Sequence, residues 1–324
     1  MLAEIRALRR RAVVTGIGVL TGPVVGADAF WTHLADPTER PTFTRLEGFR
    51  ARDWLDRREA RHTDRFAQVG LAAAVLAAKD ADLGETDPLR TGVVMGTGGG
   101  SAAGLVVQEL DNYREYGAPG VSPLLGVRGM SNAGTAIIAL QQQAQGETMS
   151  ISSGCASGTH AVGHGMRLVQ LGLCDVVYAG SAEVFYAPPD DEVGDELSRA
   201  MISGLANMKV LTDGPTSRPF DVERDGFVCA DGAAVLIIEE RERALARGAH
   251  IYCEVCGYGN TNDAGDLISP RPDGALLREA MRAAVIDAGG DGGDVRFVNV
   301  HGTATRSNDL AESLAIAGLC GRPG

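Results

Sequence analysis

A cysteine among small residues, where a strand gives way to a helix, is a place to look for a nucleophile. Cys155 stands in such a place: Gly154 precedes it and Ala156, Ser157 and Gly158 follow. A helix N-terminus lowers the pKa of a nearby thiol. Small neighbours leave room for an acyl group on sulfur, and adjoining backbone N–H groups can hold an oxyanion. The same turn also suits a buried cysteine acting as a small hydrophobe. His301 follows the apolar run 295–300 and precedes Gly302, Thr303, Ala304 and Thr305, a turn able to present an imidazole and two hydroxyls. A histidine at a strand end is often structural. A cysteine and a histidine far apart in sequence, both at strand ends, are also what is expected when a fold brings a nucleophile to its proton-handling or oxyanion partner. Asp309 and Glu312, three apart at the start of the next helix, share a face near its positive end and read as ordinary caps when no fold is assumed.

Other patterns carry less. Gly98, Gly99, Gly100, Ser101, Ala102 and Ala103 follow a strand but fit only a relaxed dinucleotide fingerprint, without the later acid, and read as a tight turn. Cys253 and Cys256 form an isolated C-x-x-C, and on a strand that spacing sends the side chains to opposite faces, which argues against zinc. His160 and His164 have helical spacing, but Ala161 stands where a metalloprotease motif needs glutamate.

The elements that must position these residues alternate. Apolar, β-branched runs at 12–15, 92–95, 149–152, 175–179, 233–239, 251–257 and 295–300 predict buried strands; 63–79, 156–171 and 274–288 predict helices. The implied class is a layered α/β fold with no obvious linker. A strand, a small-residue turn and a candidate reactive group occur around both Cys155 and His301, a weak echo suggesting two related halves. Arg9, Arg10 and Arg11 before an apolar stretch mimic a signal peptide, but Gly16, Gly18, Gly22 and Pro23 interrupt that stretch, and 12–15 reads better as a first strand.

The 324 residues, 44% hydrophobic and 22% charged, can bury a large core. A formal charge of −12 argues against nucleic acid or an anionic membrane as partner of the whole surface, while Arg57, Arg58 and Arg61 form a local basic patch. Six cysteines in such a length make no disulfide framework, so a reducing, cytoplasmic setting is the simpler expectation. No apolar run reaches membrane-spanning length.

Four strings, in order, resemble the β-ketoacyl-ACP synthase family, particularly its synthase I and II branch. They are residues 149–160 around Cys155, Arg218 to Val228, Ala244 to Tyr252 with Gly257 to Gly259, and Val300 to Thr305 with Asn308 to Glu312. The resemblance runs from about residue 11 to the end and implies a thiolase-like layered α-β-α-β-α fold with an incomplete second half, its domains at 11–245 and 246–324. It implies that Cys155 accepts an acyl chain from acyl carrier protein. Malonyl-ACP then loses CO₂ and attacks the thioester, in fatty-acid or type II polyketide biosynthesis. By the same resemblance His301 is the first of two catalytic histidines, Thr303 and Thr305 contact the phosphopantetheine arm, and Asp309 and Glu312 form a supporting polar network. Arg58 and Arg61 match a segment that docks the acidic carrier. No cofactor or metal is implied beyond the phosphopantetheine that the carrier brings.

The sequence departs from the family pattern in places. Gly154 stands where alanine is common, and 205–207 reads Leu-Ala-Asn where Leu-Ser-Thr is frequent. The pattern ordinarily continues with a lysine-bearing strand, a second histidine and a Gly-Phe-Gly-Gly loop, whereas these residues end at Gly324. That implies either cover from a partner in a homo- or heterodimer or a truncated product. The alternative is therefore a chain-length-factor-like subunit that pairs with a complete ketosynthase without condensing. Retained Cys155 opposes it, and a degradative thiolase lacks its late cysteine motif here.

Overall fold

The computed structural model describes residues 9–36, 44–100, 102–187 and 192–321. Two compact units emerge from the packing. Of the described residues the first comprises 9–36, 44–100, 102–187, 192–201 and Ala230–Val255, and the second Ile202–Cys229 and 256–321.

In chain order the elements are β1 (Ala12–Thr21), β2 (Val24–Val25), α1 (Ala27–Ala35), α2 (Arg57–His62), α3 (Arg65–Asp80), β3 (Thr91–Gly96), α4 (Ala102–Tyr116), α5 (Leu125–Arg128) and α6 (Ala133–Gln141). They continue with β4 (Thr148–Ile151), α7 (Ser157–Gln170), β5 (Val176–Glu183), α8 (Glu192–Asn207), β6 (Gly232–Glu240), α9 (Arg241–Ala246), β7 (Cys253–Glu254), α10 (Ala275–Ala288) and α11 (Arg306–Leu319). One seven-stranded sheet carries the first unit in the order β2-β1-β6-β5-β3-β4, with β7 also on β1. β5, β3 and β4 run parallel, whereas β6 is antiparallel to both β1 and β5.

The parallel centre explains why β3 reads as an unbroken apolar run: both its faces are covered, and every residue from Thr91 to Gly96 is buried. Strand alternation sorts β5 between two helices. A Cβ on Gly70 of α3 would meet Ala182, while one on Gly165 of α7 would meet Ala179 and Val177. Gly16 and Gly18, two of the four residues that interrupt the apolar stretch after Arg11, lie inside β1. A Cβ on Gly16 would sit 2.2 Å from the Ala77 carbonyl oxygen, and one on Gly18 1.9 Å from that of Ala73. The alanine-rich helix α3 can approach β1 so closely only because both surfaces lack side-chain bulk. The run after Arg11 is thus the first strand, longer than 12–15.

Charge pins the ends of these strands. Arg90, just before β3, donates to Asp175, just before β5, through Nε at 2.5 Å and Nη2 at 2.7 Å, and Arg10 donates to the same carboxylate at 2.8 Å. Glu239, fully buried on β6, accepts from Arg243 and Arg247 and from the Thr15 hydroxyl. Its charge is compensated on every side.

In the second unit α10 packs on α11, and residues 256–260 bring Gly257 and Gly259 against α10. A Cβ on Gly257 would lie 2.2 Å from the Ala284 carbonyl oxygen, and one on Gly259 2.1 Å from that of Ala280. This repeats the contact of Gly16 and Gly18 with two alanines one turn apart on α3, an echo between the halves more concrete than the one around Cys155 and His301. Two expected strands differ from the structure. The 251–257 run shortens to Cys253–Glu254, and 295–300 forms no strand, because a ladder requires a hydrogen-bonded neighbour and no described residue supplies one. Phe297 in that run is 83% exposed.

Candidate functional site

The first unit builds a turn between β4 and α7. After Ile151 the chain passes through Gly154 at φ +60°, a left-handed conformation open to glycine, before α7 begins at Ser157 with Ala156 at its N-cap. Cys155 therefore sits just outside the helix N-terminus. It is exposed, so it is not the buried small hydrophobe that the turn alone also allowed. Ser157, 2% exposed, organises the turn. Its Oγ accepts the Ser153 N–H at 2.9 Å and lies 2.7 Å from the Gly154 carbonyl oxygen and 3.1 Å from that of Thr97, either of which takes its proton. The Thr97 N–H donates to the Ile151 carbonyl, and Ser152 Oγ reaches the Gly98 carbonyl at 3.4 Å. Ser153 Oγ and His160 Nδ1 are 3.0 Å apart, so the histidine set aside as a metal ligand belongs to the same turn. The glycines after Thr97 form a turn between β3 and α4, as expected.

The second unit gathers the other candidates. Asp309 and Glu312 are 1% and 3% exposed, and neither caps α11. Glu312 reaches back to accept the His301 N–H at 2.6 Å and the Gly302 N–H at 2.9 Å. Asp309 accepts the Phe220 N–H at 2.7 Å and lies 3.6 Å from Arg224 Nε, while Asn308 Nδ2 donates to both carboxylates. Spacing alone suggested capping, but what the shared face meets decides the role. Thr303 and Thr305 bring their hydroxyls to 2.9 Å of each other. Between them Ala304, fully buried, holds φ +57°, a conformation costly for a residue with a Cβ. His301 is exposed at the head of this loop. The structure thus brings His301, Thr303, Thr305, Asp309 and Glu312 together in one unit, while Cys155 belongs to the other.

Sequence reasoning missed Ser157, Thr97, Asn308 and Arg224. A serine two residues beyond the cysteine, at the start of a helix, was the one available signal. Arg58 and Arg61 lie exposed on α2, whose N-terminus is closed by a capping box from Asp56 and Glu59. Cys253 lies on β7, and no group of three or more potential metal ligands occurs among the described residues. None of the described helices is long and apolar enough to cross a membrane.

Comparison with known proteins adds the following. The β-ketoacyl synthase N-terminal domain family matches residues 49–244, and the C-terminal domain family residues 252–324. The 3-oxoacyl-[acyl-carrier-protein] synthase 2 of Vibrio cholerae is 34% identical over 98% of this chain and 78% of its own length. That of Rhizobium meliloti is 32% identical over 96% and 78%. Among solved structures, the ishigamide ketosynthase/chain length factor superposes with a TM-score of 0.83 at 27% identity, covering 97% of this chain and 78% of that one. A type II polyketide synthase acyl-carrier protein in complex with its ketosynthase bound to the hexaketide gives 0.80 at 28%, over 97% and 78%.

Proposed function

The chain belongs to the β-ketoacyl synthase family and has its thiolase-like α/β fold, and from that premise we propose that it carries out decarboxylative Claisen condensation on an acyl thioester held by Cys155. The observation that carries the reading is the turn itself: an exposed thiol outside the N-terminus of α7, on a loop fixed by Ser157. Cys155 Sγ attacks the acyl-ACP carbonyl, and the carrier's thiol leaves with the proton. Malonyl-ACP then loses CO₂, and its α-carbon attacks the enzyme thioester, which releases Cys155 and leaves a chain two carbons longer.

His301 donates a hydrogen bond to the malonyl thioester oxygen as enolate charge develops. Thr303 and Thr305 hold the phosphopantetheine arm through their paired hydroxyls. In the supporting polar network Glu312 fixes the backbone at His301 and Gly302, and Asp309 ties the following helix to the 218–228 segment. The arm arrives on the carrier, so no free cofactor is needed. Arg58 and Arg61 dock the acidic carrier, in fatty-acid or type II polyketide synthesis.

Residues 11–245 and 246–324 act as the two halves, a division supported by the boundary between the two matching families at 244 and 252. The protein works as a dimer, with a second copy or with a ketosynthase-type subunit, in the cytoplasm, where six thiols outside any disulfide are at home. The likeness to a ketosynthase/chain length factor supports a second reading, a non-condensing subunit that shapes a partner's acyl tunnel.

One experiment separates the two. Incubated with acyl-ACP, alone and with a candidate partner, the wild-type chain gains the acyl mass on Cys155 and Cys155→Ala does not. A reconstituted pair whose product is unchanged by Cys155→Ala would establish the second reading instead.

A further inference from the structure

The glycine-rich turn after β3 has the backbone of an anion site but binds no phosphate in the reading above. Its anion is internal. Glu183, the last residue of β5, accepts the Gly98 N–H with Oε2, and the Thr97 hydroxyl donates to the same oxygen at 3.3 Å. Burial pushes the Glu183 carboxyl above its ordinary range, while bonds from the backbone of Gly98, Gly99 and Gly100 and from Thr97 pull it back. The fit is close: a Cβ on Gly98 would stand 3.0 Å from Oε2. Successive N–H groups in such a turn form a concavity for negative charge, and a carboxylate from the neighbouring strand fills it.

The loop shaped in this way is the one on which the cysteine turn is moored. The Thr97 carbonyl is one of the two acceptors open to the Ser157 hydroxyl, and the Thr97 N–H donates to the Ile151 carbonyl; the Gly98 carbonyl is the acceptor for Ser152 Oγ; and Thr97 Oγ1 accepts the Gly100 N–H at 2.9 Å. Residues on both sides of Cys155 are thus tied to 97–98, and 97–100 is tied to Glu183. We propose that Glu183 is a positioning residue for acyl transfer, holding the 97–100 loop in the shape that sets the Cys155 turn; this rests on the reading of Cys155 as the acyl acceptor. It works through the loop and not by contact with substrate.

Acylation of Cys155 by an acyl-ACP thioester is followed by intact mass in Glu183→Ala, Glu183→Gln and Thr97→Val, with thermal unfolding measured alongside. In Glu183→Ala the first-order acylation constant should fall about tenfold or more while the half-saturating thioester concentration stays within about twofold. Glu183→Gln should recover part of the loss, since its amide oxygen still accepts one N–H. Thr97→Val should lose rate with no change in charge. Lower melting temperatures with an unchanged constant would overturn the proposal and leave Glu183 a stability residue. Equal losses in the alanine and glutamine variants would also overturn it. If Glu183→Ala does not fold, Thr97→Val decides by the same constant. A wild-type chain that takes no acyl group would refute the role of Cys155 and with it the acyl-transfer role of Glu183; the rate of alkylation of the same sulfur by iodoacetamide, compared across the same variants, then shows separately whether Glu183 sets the shape of the Cys155 turn.

Discussion

Glu312 holds two consecutive backbone donors with two oxygens, and that geometry orients the peptide leading into His301 and Gly302. A carboxylate suits the task because both oxygens accept; an amide offers one acceptor and turns a donor toward a donor. In Glu312→Gln one part-buried N–H is left facing a donor, at a cost of about 1–3 kcal/mol. The expected consequence is local loosening. Native-state exchange of the His301 and Gly302 amides should accelerate roughly five- to hundredfold, at about 1.4 kcal/mol per tenfold. If His301 serves the enolate step as proposed, formation of the Cys155 acyl adduct should persist while condensation falls. Unchanged exchange at both amides would show that Glu312 does not fix the loop. Asp309 differs in kind, for its partners are the Phe220 N–H and Arg224, which tie α11 to the 218–228 segment.

Among the elements, what could be read in the sequence was what local pattern determines. β3 and β5 announce themselves by short apolar, β-branched runs, α3 and α10 because alanine repeats at helical spacing, and α7 because it follows a strand and a small-residue turn. Gly16 and Gly18 mislead for a tertiary reason: their purpose is to admit α3, which lies about sixty residues further on and which no window around them contains. The 295–300 run misleads in the opposite sense, with strand composition but no ladder. The site divides in the same way. Cys155 and His301 were marked by their turns, whereas Ser157, Thr97 and Glu183 matter through contacts across sixty or more residues of chain. The Arg90–Asp175 pair is another such contact, clamping the starts of β3 and β5, and it yields a pH prediction. Hydrogen bonds from Arg90, ahead of the opposing effect of burial, hold the Asp175 carboxyl below its ordinary 3.8. A lowered folded-state value means that the pair's stabilisation is present above 3.8 and fades as pH falls through the lowered value. Asp175→Asn should therefore cost about 1–2 kcal/mol at pH 7 in urea unfolding, and the gap to wild type should close in acid below the ordinary carboxylate range. A gap that is constant with pH would assign the loss to packing.

At the scale of the whole molecule the question is how a chain of net charge −12 receives an acidic partner. Screening supplies the answer: at physiological salt the Debye length is about 8 Å, so a docking protein senses the patch it approaches more than the distant total. Arg57, Arg58 and Arg61 are exposed on α2, and the capping box beneath them keeps that short helix in place. Reversing Arg58 and Arg61 to glutamate removes two positive charges, adds two negative ones and takes the formal total from −12 to −16. The control reverses Arg114 and Arg282, exposed elsewhere, to the same total. If the patch governs encounter, Arg58→Glu/Arg61→Glu should raise KM for acyl-ACP about tenfold or more and leave turnover of a small acyl thioester unchanged. The control should shift KM little. Raising the salt should erase the difference between the two double variants, since screening removes the local attraction along with the global repulsion. Equal KM changes in both would mean that net charge, not this helix, sets association. An equal loss with the small thioester would place the damage at the active site and remove the case for α2 as the carrier's landing surface.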